Sequence, residues 1–386
     1  MSISTHITSA SFAYPAVDSA IRARLAQALG SVEPDGGTFL LNTCLRTEVV
    51  VAGDGETLRR RLEAMFGHDV DLGIAKIRSD LDAVEHLYRV AAGLESPVRG
   101  EQEILTQFRQ TVSDANERGA IRGIFAKLLE TAVATGRLAR ESIPESPHDS
   151  MAAVAAQAVG NVDRVAVLGS GVMATSVTRA LLGLPAPPAV TVVARTPERV
   201  TNADVTVWPF DRALQVLEDF PAVISATSAK RRLVDASELE QAIRNRIAPL
   251  TVVDMAMPPD FSVESSPQVT YLDIDDLARM AERRPRKDDA DTVVRSAAVD
   301  AYQAYVDHHQ VGPVIGGLTR HADAVVDQMV ERFGNKLSDP RDVAVLRQTA
   351  HTVARTLIAG PIAYLRDPER APDAVDVVAD AFGVDE

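Results

Sequence analysis

Short apolar runs alternate with segments of helical periodicity through the middle of the chain. The apolar runs have the length of buried strands and occupy residues 165–168, 190–194, 205–207, 223–226, 252–254 and 269–272. Helical patterns separate most of these runs, and the first of them covers residues 172–182. Strands that alternate with helices predict a parallel, doubly wound sheet.

The pattern before this region is mixed and predicts an α+β domain. Its predicted elements are strands at 38–41 and 48–52, helices that begin at Glu56 and Asp80, and one long helix from Ile104 to about Glu141. Residues 143–149 follow, with two prolines and no periodicity, and they indicate a domain boundary.

From Asp289 onward, apolar residues recur at spacings of three and four, which is typical of long helices. Later helices are predicted over 322–333, 340–359 and 372–382, with breaks at Gly312-Pro313 and Gly360-Pro361. A long opening helix favours oligomerisation, and we expect a homodimer. The chain therefore divides into three predicted domains, at 1–145, 146–288 and 289–386.

Composition narrows the class of protein. The chain has 40 basic and 54 acidic residues, a net charge of −14 and one cysteine. No apolar run reaches the length of about eighteen residues that a membrane span needs, and no secretory signal is recognisable, so we expect a cytoplasmic protein without a membrane partner. A single cysteine allows no internal disulfide, and no CxxC or HExxH motif predicts a metal site.

Three basic clusters are candidate RNA contacts, although each is better explained as a solvated face. They lie at 59–61, 230–232 and 283–287.

A glycine motif follows the first strand of the middle domain and opens its first helix. It reads Gly169-Ser170-Gly171-Val172-Met173-Ala174, and this context is the one that a dinucleotide-binding Rossmann fingerprint requires. The glycines permit a tight turn and close approach of a pyrophosphate to the helix N-terminus. After the second strand, Arg195, Thr196 and Arg199 replace the usual acidic residue and favour NADPH over NADH, unless Arg195 merely lies on a loop.

Cys44 lies where an apolar strand gives way to a polar turn, two residues before Arg46. A thiol beside a guanidinium is a candidate nucleophile, although a lone cysteine is more often an inert buried residue. In the helix that begins at Asp80, His86 lies well off the apolar stripe, which indicates that it is not simply a core histidine. A polar, glycine-punctuated turn from Gly93 follows this helix.

Several motifs in order along the chain resemble those of the glutamyl-tRNA reductase family. They are Thr-Cys-Leu-Arg-Thr-Glu at 43–48, His-Leu-Tyr-Arg-Val-Ala-Ala-Gly-Leu-Glu-Ser at 86–96, Gly-Glu at 100–101, Ile-Leu at 104–105, Leu-Gly-Ser-Gly-Val-Met at 168–173, Ile-Ser-Ala-Thr-Ser at 224–228, Val-Asp-Met-Ala-Met-Pro at 253–258, Ile-Asp-Asp-Leu at 274–277, and Gly-Pro with Leu-Arg at 360–361 and 365–366. The resemblance covers nearly the whole chain.

The resemblance implies a catalytic domain, an NADPH domain and a helical dimerisation domain. It implies that Cys44 forms a glutamyl thioester with glutamyl-tRNA, which NADPH reduces to glutamate-1-semialdehyde, the first step of five-carbon tetrapyrrole synthesis. The implied partners are glutamyl-tRNA, a second copy of the chain and an aminomutase that takes the aldehyde. The implied site residues beyond Cys44 are His86 for proton transfer, Thr43, Arg46, Ser96, Glu101 and Glu103 for substrate, and Thr227 for cofactor. Arg46 and His86 could also raise the thiolate fraction of Cys44, but for Arg46 this role competes with holding a substrate carboxylate, and we favour substrate binding.

The chain departs from the family pattern at some positions. Residues 9–15 lack the Ser-His-Lys/Arg-Thr-Ala-Pro stretch, Leu45 replaces a common asparagine, and Glu103 replaces a usual glutamine. Because lost amides alter polar recognition, two alternatives stay open. One is a diverged reductase acting on another activated acyl donor, and the other is a non-catalytic NADPH-binding dimer.

Overall fold

A computed structural model describes residues 5–29, 37–67, 72–143, 150–229, 231–264, 266–281, 289–365 and 374–384. These residues form two compact units, one spanning His6–Asp300 and the other beginning at Ala301. The predicted domain boundaries at 145/146 and 288/289 adjoin or lie within stretches outside the described residues, and they stay predictions.

The first unit begins with a four-stranded antiparallel sheet in the order β2-β3-β1-β4. Its strands are β1 (Thr8–Ala13), β2 (Thr38–Asn42), β3 (Arg46–Val51) and β4 (Lys76–Ser79). The helices of this region are α1 (Ser19–Leu29), α2 (Gly55–Phe66), α3 (Asp80–Ala91), α4 (Gln102–Glu117) and α5 (Gly123–Glu141). The predicted strands at 38–41 and 48–52 are thus confirmed within a residue or two, whereas β1 and β4 were not predicted.

Strand alternation assigns each residue of this sheet to one of two faces. Ala10, Phe12, Val49 and Val51 point to the face covered by α1 and α2, where they join a core with Leu58 and Phe66 from α2. The residues between them point to the opposite face, toward α3, α4 and α5. That second face contains Ser9, Ser11, Arg46, Glu48 and Arg78, as the register pairs Ser9↔Arg78 and Ser11↔Glu48 require.

The prediction of one long helix from Ile104 to Glu141 is wrong, because α4 and α5 are separate helices. Gly119 adopts a left-handed backbone with φ +66°, which ends α4, and Arg122 is extended immediately before α5. A glycine at such a position ends helices without the steric cost that a side chain would carry.

A six-stranded parallel sheet follows in the order β10-β9-β8-β5-β6-β7. Its strands are β5 (Arg164–Leu168), β6 (Ala189–Ala194), β7 (Thr206–Pro209), β8 (Ala222–Ser225), β9 (Leu250–Asp254) and β10 (Val269–Asp273). The accompanying helices are α6 (Met151–Ala158), α7 (Val172–Leu182), α8 (Gln215–Asp219), α9 (Ala236–Ile243) and α10 (Ile274–Ala281). The predicted doubly wound sheet is confirmed. Its strand order reverses between β5 and β8, where ligands of such sheets bind.

The C-terminal region contains α11 (Ala290–Gly334), α12 (Pro340–Leu365) and α13 (Ala374–Phe382). The predicted breaks at Gly312-Pro313 and Gly360-Pro361 are wrong, because Pro313 lies inside α11 and Pro361 inside α12. Although an internal proline costs about 3 kcal/mol, packing can offset it. Immediately after Pro313, Val314 and Leu318 are buried with Leu365 and Val378. Residues 372–373 of the predicted last helix lie outside the described residues.

Two further expectations concern the surface. Arg59 pairs with Glu56 and Glu63, at 2.8 Å to each, so the first basic cluster forms part of a charge-paired helix face. Arg231 and Arg232 are exposed, while Lys230 and residues 283–287 lie outside the described residues. Among the helices that the structure describes, none combines the length and hydropathy of a membrane span.

Candidate active site

Cys44 occupies the tight connection between β2 and β3. The amide of Thr43 donates to the carbonyl of Arg46 at 2.8 Å, and the amide of Leu45 donates to the Thr43 hydroxyl at 3.3 Å. These two bonds fix the backbone on both sides of the thiol. Cys44 is partly exposed. Thr43 therefore shapes the turn that holds the Cys44 thiol, and its role with substrate stays a prediction.

The environment of Cys44 favours the neutral thiol. Burial raises its pKa to about 12, the nearby carboxylates of Glu101 and Glu103 act in the same direction, and the Arg22 guanidinium opposes them. Arg46 and His86, which could raise the thiolate fraction, are not among the groups named as acting on the pKa of Cys44. The reason is that both side chains are committed to another carboxylate.

That carboxylate is Glu48, which has no exposed surface. It accepts hydrogen bonds from Ser11 Oγ at 2.9 Å and Arg46 Nη1 at 3.4 Å, and both its oxygens lie 3.1 Å from His86 Nε2. Burial opposes ionisation, but His86 and Arg46 hold the pKa of Glu48 below its usual value. His86 is buried, 5% exposed, and its partner is this charge. The network joins β1, β3 and α3.

The loop after α3 completes the surroundings of Arg46, whose Nη2 donates to the carbonyl of Glu95. Gly93, at φ +73°, lets the loop fold back so that the amide of Gly100 donates to its carbonyl at 2.9 Å. A Cβ on Gly93 would lie 2.8 Å from the amide nitrogen of Glu101. Ser96 lies half-buried in this loop.

Arg78 is a second guanidinium near this network, and it was not predicted. Its Nη1 is buried and has no hydrogen-bond partner among the described residues. Desolvation lowers the pKa of Arg78, and the charges that act on it include Glu48, Glu95 and Arg46. A buried cationic nitrogen that lacks a described partner indicates a place where an anionic group can bind.

The two predicted carboxylates Glu101 and Glu103 lie beside the cysteine rather than beside Arg46 alone. Glu101 is buried and accepts the amide hydrogen of Met151 at 3.2 Å, and burial raises its pKa to about 7. Glu103 is half-buried, and desolvation raises its pKa as well. Because Met151 begins α6, Glu101 also ties the catalytic loop to the nucleotide-domain side of the first unit.

The turn that holds Cys44 packs directly against the second sheet and its helices. Leu45 and Val98 are members of a buried apolar cluster that otherwise consists of side chains from 151–281, and Cys44 packs against the same cluster. Met173 and Ala226, which flank the glycine loop, also pack against it. Cys44 and the residues around the glycine loop therefore pack against the same apolar cluster.

The glycine loop has the geometry that a dinucleotide requires. Gly169 adopts φ +118°, and a Cβ there would lie 2.6 Å from the carbonyl oxygen of Ala226. No atom lies within 4 Å of the corresponding position on Gly171, so the surface before α7 is open. Ser170 and Val172 are exposed, and Ala174 is buried beneath Gly169. A pyrophosphate fits this arrangement of open surface and helix N-terminus.

The remaining predicted cofactor residues fall into two groups. Arg195, Thr196 and Arg199 are exposed just beyond β6, and Met173 is half-buried in the first turn of α7. Thr227 differs, because its hydroxyl donates to Asp260 at 2.8 Å and accepts the amide hydrogen of Ala229 at 3.2 Å. Thr227 thus has structural partners at the carboxyl end of β8.

The structure brings the predicted catalytic and substrate residues into one region, and it adds four that sequence reasoning missed. These are Ser11, Arg22, Glu48 and Arg78. The one signal in the sequence is Glu48 itself, a charged residue inside the valine-rich strand β3. A charge that is buried in a strand requires a buried partner, and that requirement could have pointed to the network.

Models of known protein families match all three parts of the chain. Models of the glutamyl-tRNAGlu reductase N-terminal domain and dimerisation domain match residues 9–143 and 290–384, and a shikimate / quinate 5-dehydrogenase model matches residues 153–280. The middle match indicates a dinucleotide-binding domain.

Two relatives that match most of the chain are both named glutamyl-tRNA reductase. Glutamyl-tRNA reductase of Rubrobacter xylanophilus is 28% identical over 375 residues, covering 89% of this chain and 86% of that protein. Glutamyl-tRNA reductase of Herpetosiphon aurantiacus is 27% identical, covering 94% and 93%. The solved glutamyl-tRNA reductase of Methanopyrus kandleri is 23% identical with a TM-score of 0.49, covering 100% of both chains.

The thiol environment predicts slow alkylation. We expect iodoacetamide to modify Cys44 at pH 8 at least about tenfold more slowly than in the urea-unfolded chain, with a rise of about tenfold per pH unit up to pH 10. Glu103→Gln should speed the reaction because it removes a nearby negative charge, whereas Glu117→Gln, on the exposed face of α4, should not. Mass spectrometry gives the rates without ambiguity, since Cys44 is the only cysteine. Equal rates for folded and unfolded chains would contradict the raised pKa of the Cys44 thiol.

Proposed function

The chain belongs to the glutamyl-tRNA reductase family, and on that basis we propose that it reduces glutamate esterified to tRNA to glutamate-1-semialdehyde through a thioester on Cys44, with NADPH as the reductant. This is the first step of five-carbon tetrapyrrole biosynthesis. One observation carries the proposal beyond resemblance. The single thiol lies in a fixed turn that packs against the interface shared with the glycine loop.

The two chemical steps use the residues around that turn. In the first, the Cys44 sulfur attacks the ester carbonyl, the C–S bond forms, and the tRNA oxygen leaves with a proton. We assign that proton to His86, whose bond to Glu48 occupies Nε2 and leaves Nδ1. NADPH supplies a hydride to the thioester carbonyl when bound. The C–S bond then breaks, and Cys44 regains its proton.

A thiol with a raised pKa needs a base before it can attack. Glu101 acts electrostatically on Cys44 and has a pKa of about 7, the range in which a general base works well near neutrality. We therefore assign the activation of Cys44 to Glu101, in addition to its predicted contact with substrate.

Two guanidiniums are available for the substrate carboxylate. Arg46 is already bound to Glu48 and to the Glu95 carbonyl, so it would have to exchange a partner. Arg78 has a buried Nη1 with no partner to exchange. We propose that Arg78 assists Arg46 in holding the carboxylate, because bidentate or paired cationic contacts are the strong ones.

The central test uses tRNA charged with radiolabelled glutamate. Without NADPH, the wild-type protein should acquire label on Cys44 or hydrolyse the ester. With NADPH it should release labelled semialdehyde. Cys44→Ser should do neither, because the nucleophile is absent, while tRNA binding persists.

The same assay separates the alternatives. Aspartyl-tRNA serves as a second acyl donor, because Leu45 and Glu103 differ from the family pattern at positions near the thiol. Labelling by aspartate but not glutamate would favour a diverged reductase. Binding of NADPH without labelling by either donor would favour a non-catalytic dimer and overturn the proposal.

The choice of NADPH over NADH rests on Arg195. This residue is exposed just beyond β6 and makes no hydrogen bond or ion pair with a described residue, so it is available for a 2′-phosphate. Arg195→Ala should raise the KM for NADPH by about tenfold or more and leave that for NADH unchanged. Steady-state kinetics of semialdehyde formation measures both, with Arg179→Ala, on α7, as control. Equal use of NADH and NADPH by the wild type would contradict this assignment.

The dimerisation domain supports a homodimer, and exposed apolar side chains on its helices support the same proposal. They recur every four residues at Val325, Met329 and Phe333 on α11, and at Val353 and Leu357 on α12. Such a stripe on a single chain is typical of an interface.

Leu357→Glu should therefore halve the molecular mass measured by sedimentation, because it places a charge where a second copy would pack. Gln348→Glu, nine residues or about two and a half turns before Leu357 and therefore on the opposite face of α12, should leave the mass unchanged. A monomeric wild-type protein would contradict the proposal. The cytoplasmic location and the transfer of the aldehyde to an aminomutase stay predictions.

A further inference from the structure

Arg22 is an almost completely buried guanidinium, 1% exposed, in the first turns of α1. Its Nη1 donates to the Val17 carbonyl at 2.5 Å, and its Nε donates to the Cys44 carbonyl at 3.2 Å. Its Nη2 is bound to the Asp275 carboxylate, and Nη1 lies 3.5 Å from the other oxygen of that group. A buried cation without such acceptors would cost several kcal/mol.

These acceptors belong to segments far apart in sequence. Cys44 lies in the catalytic turn, whereas Asp275 begins α10 at the end of β10, on the nucleotide-domain side. A second contact joins α1 to the end of β10, because Ser19 Oγ lies 3.5 Å from Asp273 Oδ2. Around both contacts, Leu45 packs into the apolar cluster shared by the two sides. One side chain thus joins the backbone of the nucleophile to the docked nucleotide domain.

We propose that Arg22 is a positioning residue. Through its contact with Asp275, it holds the Cys44 carbonyl, and with it the acyl-thioester, in a fixed position relative to the nucleotide domain. This inference rests on the proposed reductase function. If Asp275 moves away, Arg22 loses its counter-ion and the turn loses its anchor. The docked arrangement is therefore the one in which the thioester is aligned for reduction.

The two half-reactions should respond differently. Acyl transfer from tRNA to Cys44 needs the turn but no alignment with a nicotinamide. Reduction needs that alignment, since a displacement of about 1 Å can cost about 100-fold in rate. A misaligned thioester meets water instead, which adds hydroxyl to the carbonyl carbon and returns the proton to sulfur, releasing glutamate. The ratio of semialdehyde to glutamate therefore measures how well the thioester is aligned with the nucleotide domain.

The experiment compares Arg22→Met and Asp275→Asn with Arg24→Met, an exposed position on the same helix. Each variant receives labelled glutamyl-tRNA with saturating NADPH, and both products are counted. The ratio of semialdehyde to glutamate should fall at least about tenfold in the first two variants and stay unchanged in the third. The double variant should be no worse than Arg22→Met, because both changes remove one coupled contact.

Asp275→Asn is the decisive variant, because it leaves the Arg22 charge near the thiol and so does not lower the thiolate fraction. Its rate of labelling at Cys44 without NADPH should remain within about threefold of wild type. Calorimetry checks that each variant is folded, and Asp275→Asn keeps the proposal testable should Arg22→Met not fold.

An unchanged product ratio in Asp275→Asn, or a proportional loss of both products in Arg22→Met and Asp275→Asn, would overturn the inference and leave Arg22 a structural residue. Failure of the proposed function looks different, because the wild-type protein itself would then form neither adduct nor semialdehyde.

Discussion

A carboxylate with no exposed surface, Glu48, controls the arrangement of the catalytic side chains. A buried charge is tolerated only with partners, and here the partners come from three elements, through Ser11 on β1, Arg46 on β3 and His86 on α3. Removing any one of them would leave the others beside an incompletely compensated charge. Arg46 and His86 are therefore fixed as a unit with defined orientation, which suits the proposed roles of Arg46 in binding the substrate carboxylate and of His86 in proton transfer. The same commitment withdraws them from the electrostatics of Cys44.

Cys44 consequently takes its electrostatic character from other neighbours, with Glu101 and Glu103 opposing ionisation and Arg22 favouring it. Burial dominates, so the resting form is the neutral thiol. This form is the less easily oxidised one, because oxidation and alkylation proceed through the thiolate. Cys44 therefore differs from a cysteine whose surroundings hold it permanently as the thiolate. In the proposed mechanism Cys44 needs a base at the moment of reaction, and Glu101, which acts on the thiol electrostatically, is a carboxyl whose pKa is near neutrality.

Sequence reasoning succeeded where local chemistry decides the structure. The glycine loop is an example, since Gly169 is required by its own backbone angle and by the carbonyl of Ala226. It failed where distant packing decides. Pro313 and Pro361 are strong helix breakers by local rules, yet both lie within helices whose buried side chains pack against one another. Glu48 was overlooked because its partners Ser11 and His86 lie 37 and 38 residues away in sequence. Arg22 offered no local signal at all, because its counter-ion is 253 residues distant.

Leu45 shows how a departure from the family pattern can have a structural cause. A leucine in a polar turn beside a nucleophile looks unsuited to recognising a glutamyl group, since it offers no hydrogen bond. In the structure Leu45 is 6% exposed and packs into the cluster shared with the nucleotide domain. Burial of such a side chain is worth about 1.5–3 kcal/mol, comparable to a charged hydrogen bond. Because the Cys44 carbonyl is held from the same side by Arg22, the apolar contact and the ion pair act on one turn. Leucine at this position therefore adds apolar contact between the Cys44 turn and the nucleotide-binding domain, and in the proposed mechanism Arg46 and Arg78, rather than residue 45, bind the substrate carboxylate.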